Sequence, residues 1–176
     1  MIRLDPWFCW GLAWLLLVLP LPWVVELAAA AGFHELCHYL AIEALGGQVR
    51  QIRLGLFGAV MDTVLPEDRE WLAAAAGPAG SFLLLLLRRH WPRLALWGLI
   101  QGAFNLLPLY PLDGGRILRC LLRPWLAPAY IQAVETGIGV VLALVFLWWD
   151  RTLGLILLFR WVLGKIPCNG FEKRVQ

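Results

Sequence analysis

The sequence predicts an all-α polytopic membrane protein with about six transmembrane helices and a short membrane-associated β-hairpin after the second one. Of its 176 residues, 61% are hydrophobic and 15% are charged, whereas soluble domains average about 45–50% apolar and about 25% charged residues. The apolar residues fall into runs near the length that crosses a bilayer. Many of the 11 Trp residues lie near the ends of these runs, as in an interfacial aromatic belt.

Six apolar segments supply the predicted spans. Their approximate bounds are Trp7 to Leu19, Glu26 to Leu45, Glu70 to Leu87, Leu94 to Leu107, Tyr130 to Trp149 and Thr152 to Leu163. The first segment also resembles the apolar core of a secretory signal peptide. Its N-terminal flank is only weakly basic, however, so we expect this segment to be retained as a span.

A period-2 pattern follows the second segment and predicts the hairpin. The glycine pair at residues 46–47 ends the helix, and polar Gln51 and Arg53 then alternate with apolar Ile52 and Leu54. The hairpin is expected to lie against the membrane face. An irregular amphipathic loop fits the same residues, so both interpretations stay open.

The small positive charge indicates membrane orientation rather than nucleic-acid binding. The formal net charge is +3, and the basic residues are divided among short loops. Arg50, Arg53 and Arg116 fall in loops that share one side of the membrane if both termini are cytoplasmic, as the positive-inside rule favours. The basic turn at residues 88–90 opposes this orientation. We expect a multi-pass protein of a bacterial inner or plasma membrane with cytoplasmic termini, in contact with lipid and with no nucleic-acid partner.

The motif His34-Glu35-Leu36-Cys37-His38 lies inside an apolar segment. Residues four apart share a helical face, so both histidines can bind one metal ion, while Glu35 can accept a proton from a metal-bound water. The alternative is a hydrogen-bonded pair of core histidines. Ionisable groups at membrane depth are costly and usually functional, which favours the metal site. Cys37 is expected to pack as a small buried thiol.

A catalytic zinc site needs a third protein ligand, and Asp113 is the favoured candidate. The metzincin spacing would place a third histidine at Ala44, and the remaining histidine, His90, lies in a basic loop. Before Asp113, Pro108 and Pro111 interrupt the helix, and broken backbone at membrane depth is tolerated where it lines a wet cavity. Asp113 as a helix N-cap is the alternative.

Two further patterns concern helix packing. Small residues four apart predict close packing of the third span against the histidine-bearing span: Ala73 with Gly77, and Ala76 with Gly80. Basic residues on one face of a later segment predict an amphipathic helix on the inner leaflet, or a docking site for an acidic substrate: Arg116, Arg119 and Arg123.

The combination of motifs resembles the site-2 protease family of intramembrane zinc metalloproteases. HELCH in one span, PLDGG after a later span, Gly77-Pro78 in an Ala-rich span and the strand-like loop carry this resemblance over nearly the whole chain. The resemblance implies three ligands to one zinc ion, which are His34, His38 and Asp113, and it implies that Glu35 is the catalytic base. Asn105 and Pro108 match the family's NxxP element, which implies that they help to hold substrate.

The compact form resembles most the branch that contains the sporulation protease that cleaves a pro-sigma factor. That branch often carries a regulatory CBS domain, whereas only a short tail follows the last predicted span here. The interval between HELCH and Asp113 leaves no room for a PDZ domain. We therefore expect residues 1–176 to form a single domain, with substrate chosen by the membrane core, by short loops, or by inhibitory or adaptor membrane proteins.

These features predict regulated intramembrane proteolysis. The expected enzyme is a membrane-embedded zinc metalloendopeptidase, a hydrolase of membrane-embedded or membrane-tethered regulatory proteins, with pro-sigma-factor processing as one candidate. An unwound substrate is expected to pair with the hairpin near Ile52 and Leu54 by β-addition. The alternatives are a non-catalytic zinc-binding scaffold or adaptor, which the intact Glu35 disfavours, and a transporter. A transporter would show further ionisable residues along its path.

Overall fold

The computed structural model describes residues 2–55 and 58–149, so the predicted sixth span lies outside the described residues. The chain divides into two compact units, Met1–Leu107 and Pro108–Gln176. The first unit contains, in chain order, β1 (Ile2–Leu4), α1 (Pro6–Val18), α2 (Leu21–Ala44), β2 (Gln48–Gly55), β3 (Gly58–Val64), α3 (Glu70–Leu83) and α4 (Pro92–Asn105). Short 3-10 turns precede and follow α3, at Glu67–Arg69 and Leu84–Leu87. The second unit contains α5 (Asp113–Leu122) and α6 (Pro128–Trp149).

The ends of α1 and α2 follow from local chemistry. Asp5 caps α1 by accepting a hydrogen bond from the backbone N–H of Trp7 at 3.1 Å, and Pro6 occupies the first turn, where its missing N–H costs nothing. At the far end of α2, Gly46 adopts φ +79°, a left-handed conformation that favours glycine. Arg69 donates to the carbonyl of Leu45 at 2.8 Å and thereby satisfies one of the last helical acceptors.

The predicted hairpin is confirmed, and the irregular loop is not. Strands β2 and β3 pair antiparallel, with a register irregularity between Val49 and Gln51. The sequence did not predict β1, which pairs parallel with β2 and makes it the central strand of a three-stranded sheet. The backbone N–H of Asp5 extends this ladder by donating to the carbonyl of Leu54 at 2.9 Å.

Helix α2 packs against α3 and α4, as the small residues of α3 predict. Gly80 allows Cys37 of α2 to approach so closely that an added Cβ would lie 2.9 Å from the Cys37 Cβ. Gly98 of α4 in turn faces α3, because a Cβ there would lie 2.6 Å from the carbonyl oxygen of Ser81. A small apolar core closes the interface around Ala30, Leu84 and Leu94.

Two described helices are long and apolar enough to cross a membrane. They cover Glu67–Leu87, which includes α3 and both flanking 3-10 turns, and Pro128–Val145 within α6. The apolar helix α1 is shorter, with 13 residues. The helical class is confirmed in this coarse form, and the count of six spans stays a prediction.

The basic face predicted for α5 is not simply exposed to lipid. Arg119 donates from Nε to Glu135 Oε1 of α6 at 2.6 Å and from Nη2 to Oε2 at 2.8 Å. Its guanidinium is therefore bound within the second unit, although 33% of the side chain is exposed. The prediction of a basic face open to lipid headgroups or to an acidic substrate does not hold at Arg119, because the Glu135 carboxylate already binds the guanidinium.

Candidate metal centre

The two motif histidines lie one turn apart on α2 and point towards α3. His34 is 2% exposed and His38 is 7% exposed. Their Nε2 atoms are 3.1 Å apart, and their rings are nearly perpendicular, at 82°. The helical spacing therefore brings two imidazole nitrogens to one point, as predicted.

Helix α3 orients both rings through their other nitrogens. Nδ1 of His38 donates to the backbone carbonyl of Ala73 at 2.7 Å. A carbonyl can only accept, so this bond places the proton on Nδ1 and leaves the Nε2 of a neutral His38 with its lone pair. Nδ1 of His34 lies 2.8 Å from Ser81 Oγ, an oxygen that can accept the same kind of bond.

The backbone of Gly77 on α3 lies directly against both histidine rings. A Cβ added there would lie 2.7 Å from Nε2 of His34 and closer still to Nε2 and Cε1 of His38. Residues 73, 77 and 81 are four apart on α3, so one stripe supplies an acceptor for His38, space for both rings and a partner for His34. This stripe continues the small-residue pattern that predicted helix packing.

Asp113 is the first residue of α5 and is 7% exposed. Leu112 occupies the N-cap position and makes no side-chain cap hydrogen bond, so Asp113 is not the N-cap residue of α5. Asp113 is thus a buried carboxylate of the second unit. With His34 and His38, which are buried in the first unit, it makes up the set of three side chains expected to bind the metal.

This donor set fits zinc. Zinc–imidazole bonds of about 2.0–2.1 Å in tetrahedral geometry separate two ligand nitrogens by about 3.3 Å, close to the observed 3.1 Å. A hydrogen-bonded pair of neutral histidines would show a similar distance. Two imidazoles and one carboxylate match the ligand set of many catalytic zinc sites.

The other predicted site residues have different surroundings. Glu35 is half-buried on α2 between the two histidines in sequence. Asn105 is the last residue of α4, where its Nδ2 donates to the carbonyl of Gln101 at 3.1 Å, and Pro108 follows in a half-buried loop. His90 is exposed in a turn and does not belong to the metal-binding group.

The expectation that substrate pairs at Ile52 and Leu54 is wrong as stated. Ile52 is aligned with Ile2 of β1 on one side and with Met61 of β3 on the other, and Leu54 likewise has neighbours on both sides. A central strand has no free backbone edge to offer. Within the described sheet, β3 is an edge strand.

Comparison with known proteins finds similarity to zinc metalloproteases. Residues 80–147 match the model of peptidase family M50. The chain is 33% identical over 130 residues to a zinc metalloprotease of Methanocaldococcus jannaschii, an alignment that covers 65% of this chain and 38% of that protein. It is 34% identical over 142 residues to Rip3 of Mycobacterium tuberculosis, covering 68% of this chain and 34% of that protein.

A solved structure extends the similarity to most of the fold. The site-2 protease from Methanocaldococcus jannaschii superimposes with a TM-score of 0.67 at 27% identity, covering 93% of this chain and 86% of that chain. The chain spans only about a third of the length of the curated relatives it matches. By fold and by these matches, the chain is similar to zinc metalloproteases of peptidase family M50. Within that group, the solved structure it resembles is a site-2 protease.

Proposed function

We propose that this protein is an intramembrane zinc endopeptidase that cleaves membrane-embedded or membrane-tethered regulatory proteins. The observation that carries the proposal is a pair of buried imidazole nitrogens 3.1 Å apart, on a mostly apolar helix that also carries Glu35. A buried donor set of this kind needs a cation, since ligands without one would be costly at membrane depth.

His34, His38 and Asp113 would hold the zinc ion. Bound zinc supplies a Lewis acid that polarises the scissile carbonyl and lowers the pKa of a water to about 7. The hydrogen bonds from Nδ1 of His38 to Ala73 and between His34 and Ser81 fix the ring orientations and keep both Nε2 atoms directed at the same point.

Glu35 would act as the general base and then as the general acid. It would accept a proton from the attacking water and pass it to the leaving amide nitrogen. The amide nitrogen must be protonated before it can leave. The proton that Glu35 takes from water meets this need, so one carboxylate would serve both the attack of water and the departure of the amine. Asn105 and Pro108, at the end of α4 and in the loop after it, would help to hold the substrate near the site.

The substrate would be an unwound segment of a membrane protein that pairs with the sheet. Backbone hydrogen bonds of an added strand give affinity with little sequence preference. Strand β3 is one of the two edges of the described sheet and would offer them, since it exposes Val60 and Val64 to an apolar partner. Pro-sigma factors and other membrane-associated regulators are the substrate class, and adaptor or inhibitory membrane proteins would control access. The protein would lie in a bacterial plasma membrane with cytoplasmic termini.

Glu35→Gln tests the proposal. The substitution keeps the size of the side chain but removes the base, so we expect unchanged zinc content and a decrease in turnover of about 10²–10⁴-fold. Zinc is measured by metal analysis of the purified chain, and cleavage is measured as the ratio of cut to uncut single-span proteins in the membrane proteome.

Glu43→Gln is the matched control, because Glu43 is an exposed carboxylate on the same helix. It should leave both zinc content and cleavage at the wild-type level. Zinc binding with no Glu35-dependent cleavage of any membrane protein would favour a scaffold or transporter instead.

A further inference from the structure

The second unit contains a part-buried ion pair that the proposed reaction does not use. Arg119 of α5 makes two hydrogen bonds to the carboxylate of Glu135 on α6, at 2.6 and 2.8 Å, and Glu135 is 5% exposed. Glu135 lies in a helix that is apolar enough to cross a membrane, where an ionisable residue is expensive and its presence needs a reason.

Tyr110 holds the same guanidinium from the loop that precedes α5. The Arg119 Cζ atom lies 3.7 Å from the centroid of the Tyr110 ring, a cation–π contact at close range. The loop backbone also touches α5 directly, because a Cβ on Gly115 would lie 2.6 Å from the carbonyl oxygen of Leu109. Arg119, Glu135 and Tyr110, called here the arginine clamp, thus join the loop, α5 and α6.

The clamp lies on the helix that presents Asp113. Asp113 is the first residue of α5, and Gly114 and Gly115 after it are buried in the same turn. Arg119 follows Asp113 by fewer than two helical turns, so fixing Arg119 fixes the axis and rotation of the segment that carries the carboxylate. Glu135 thus holds α5 in place through Arg119, and the position of α5 determines where the Asp113 carboxylate lies.

We propose that Arg119 and Glu135 are positioning residues for Asp113, which they act on through α5. The inference rests on the proposed ligand set, in which Asp113 binds zinc. Arginine suits this role because its planar fork can bond both oxygens of a carboxylate while its face stacks on an aromatic ring. Lysine keeps the charge but can do neither in the same geometry.

The test is a set of zinc dissociation constants, measured on the full chain in detergent by competition with a chromophoric chelator. Arg119→Lys and Glu135→Gln are each made in the wild-type chain and in an Asp113→Asn background. Arg123→Gln is the control, since it removes an exposed charge at the end of the same helix. If the clamp acts through Asp113, each clamp variant weakens zinc binding about tenfold in the wild-type chain. In the Asp113→Asn background, the same variants should add less than about a twofold effect, because no carboxylate remains to be positioned.

Two results would overturn the inference while leaving the ligand set intact. One is a zinc affinity that neither clamp variant changes. The other is equal weakening with and without the Asp113 carboxylate, including failure of both conservative variants to fold, which would mark the pair as a purely structural contact. A different result, in which Asp113→Asn itself leaves zinc affinity unchanged, would remove Asp113 from the ligand set and the clamp inference with it. Tyr110→Leu provides a third variant, expected to weaken zinc binding in the wild-type chain only.

Discussion

At the scale of single residues, the two histidine rings fit beside α3 because residue 77 of that helix has no side chain. Gly77 presents only backbone to the rings, and Ser81 and the Ala73 carbonyl hold them from either side. The site therefore depends on three positions of a helix that supplies no metal ligand. Two predictions follow from their contacts.

Gly77→Ala should abolish zinc binding although alanine is the better helix former. The methyl group would occupy the position of the His38 ring and lie 2.7 Å from Nε2 of His34, so both rings must turn away. Loss of a residue that hydrogen-bonds to a metal ligand typically lowers metal affinity about 10–100-fold. We expect the Gly77 variant to lose at least that much zinc affinity. Zinc content after dialysis measures it. Gly32→Ala on α2 is the control, since a Cβ there meets nothing within 4 Å. Normal zinc content in the Gly77 variant would show that the rings do not occupy this position.

Ser81→Ala should weaken zinc binding without removing a ligand. The hydroxyl holds Nδ1 of His34 at 2.8 Å, and its loss lets the ring rotate and change tautomer. Such partners typically contribute about 10–100-fold in metal affinity. Chelator competition on the purified variant measures the change. An unchanged dissociation constant would mean that packing alone orients His34.

The sequence was sufficient to propose His34, Glu35, His38 and Asp113 as site residues, because HExxH spacing and an interrupted span are local patterns. Their catalytic and ligand roles stay predictions. Ser81 and the Ala73 carbonyl were missed. Serine in an apolar helix carries no motif, and any residue has a carbonyl, so their roles depend on how α3 rotates against α2. Extending the four-residue spacing of Ala73 and Gly77 by one step would have pointed to Ser81.

At the scale of secondary-structure elements, the sheet illustrates the same limit. The alternation around Ile52 predicted the hairpin, but strand β1 has three residues, too few for any periodicity to show. Its partner lies far along the chain, at Ile52 to Leu54. The unforeseen strand changes the expected function of the hairpin, because it makes β2 the central strand and leaves β1 and β3 as the edges of the described sheet. The proposed substrate pairing is therefore assigned to β3.

Prolines in β3 should separate sheet stability from substrate pairing. Adjacent residues of an edge strand direct their N–H groups alternately to the neighbouring strand and to the open side. Of Val60→Pro and Met61→Pro, one should therefore disrupt the β2–β3 ladder, and the other should block only the open edge. We expect the variant with wild-type thermal stability to cleave membrane substrates more slowly while keeping its zinc. Full cleavage by that stable variant would exclude β3 as the pairing edge.

At the scale of the whole molecule, orientation in the membrane is the property least determined by local pattern. Within the first unit, α2 and α4 begin at the same end, where Arg93 donates to Glu26 at 2.9 Å and lies over the ring of Trp23. The hairpin follows the opposite end of α2. The charge distribution predicts which of the two ends is cytoplasmic, but the basic turn at residues 88–90 weakens that prediction.

Cysteine accessibility should resolve the orientation. In a chain whose four native cysteines are replaced by alanine, a membrane-impermeant maleimide applied to intact cells should label His90→Cys but not Val64→Cys. Both positions are exposed in the structure, so lysis should make both reactive. The reverse labelling pattern would mean that the hairpin faces outward and that the termini assignment is inverted.

The absence of a side chain at Gly77 also has a genetic consequence. Every missense change of this codon adds at least a Cβ, and the first atom beyond the backbone already meets both histidine rings. In a saturation library, codon 77 should therefore tolerate synonymous changes only and be as intolerant as the codons for His34 and His38. Codon 137, where an added Cβ meets nothing within 4 Å, should accept alanine. A glycine that binds no metal would then be under the same selection as the ligands themselves.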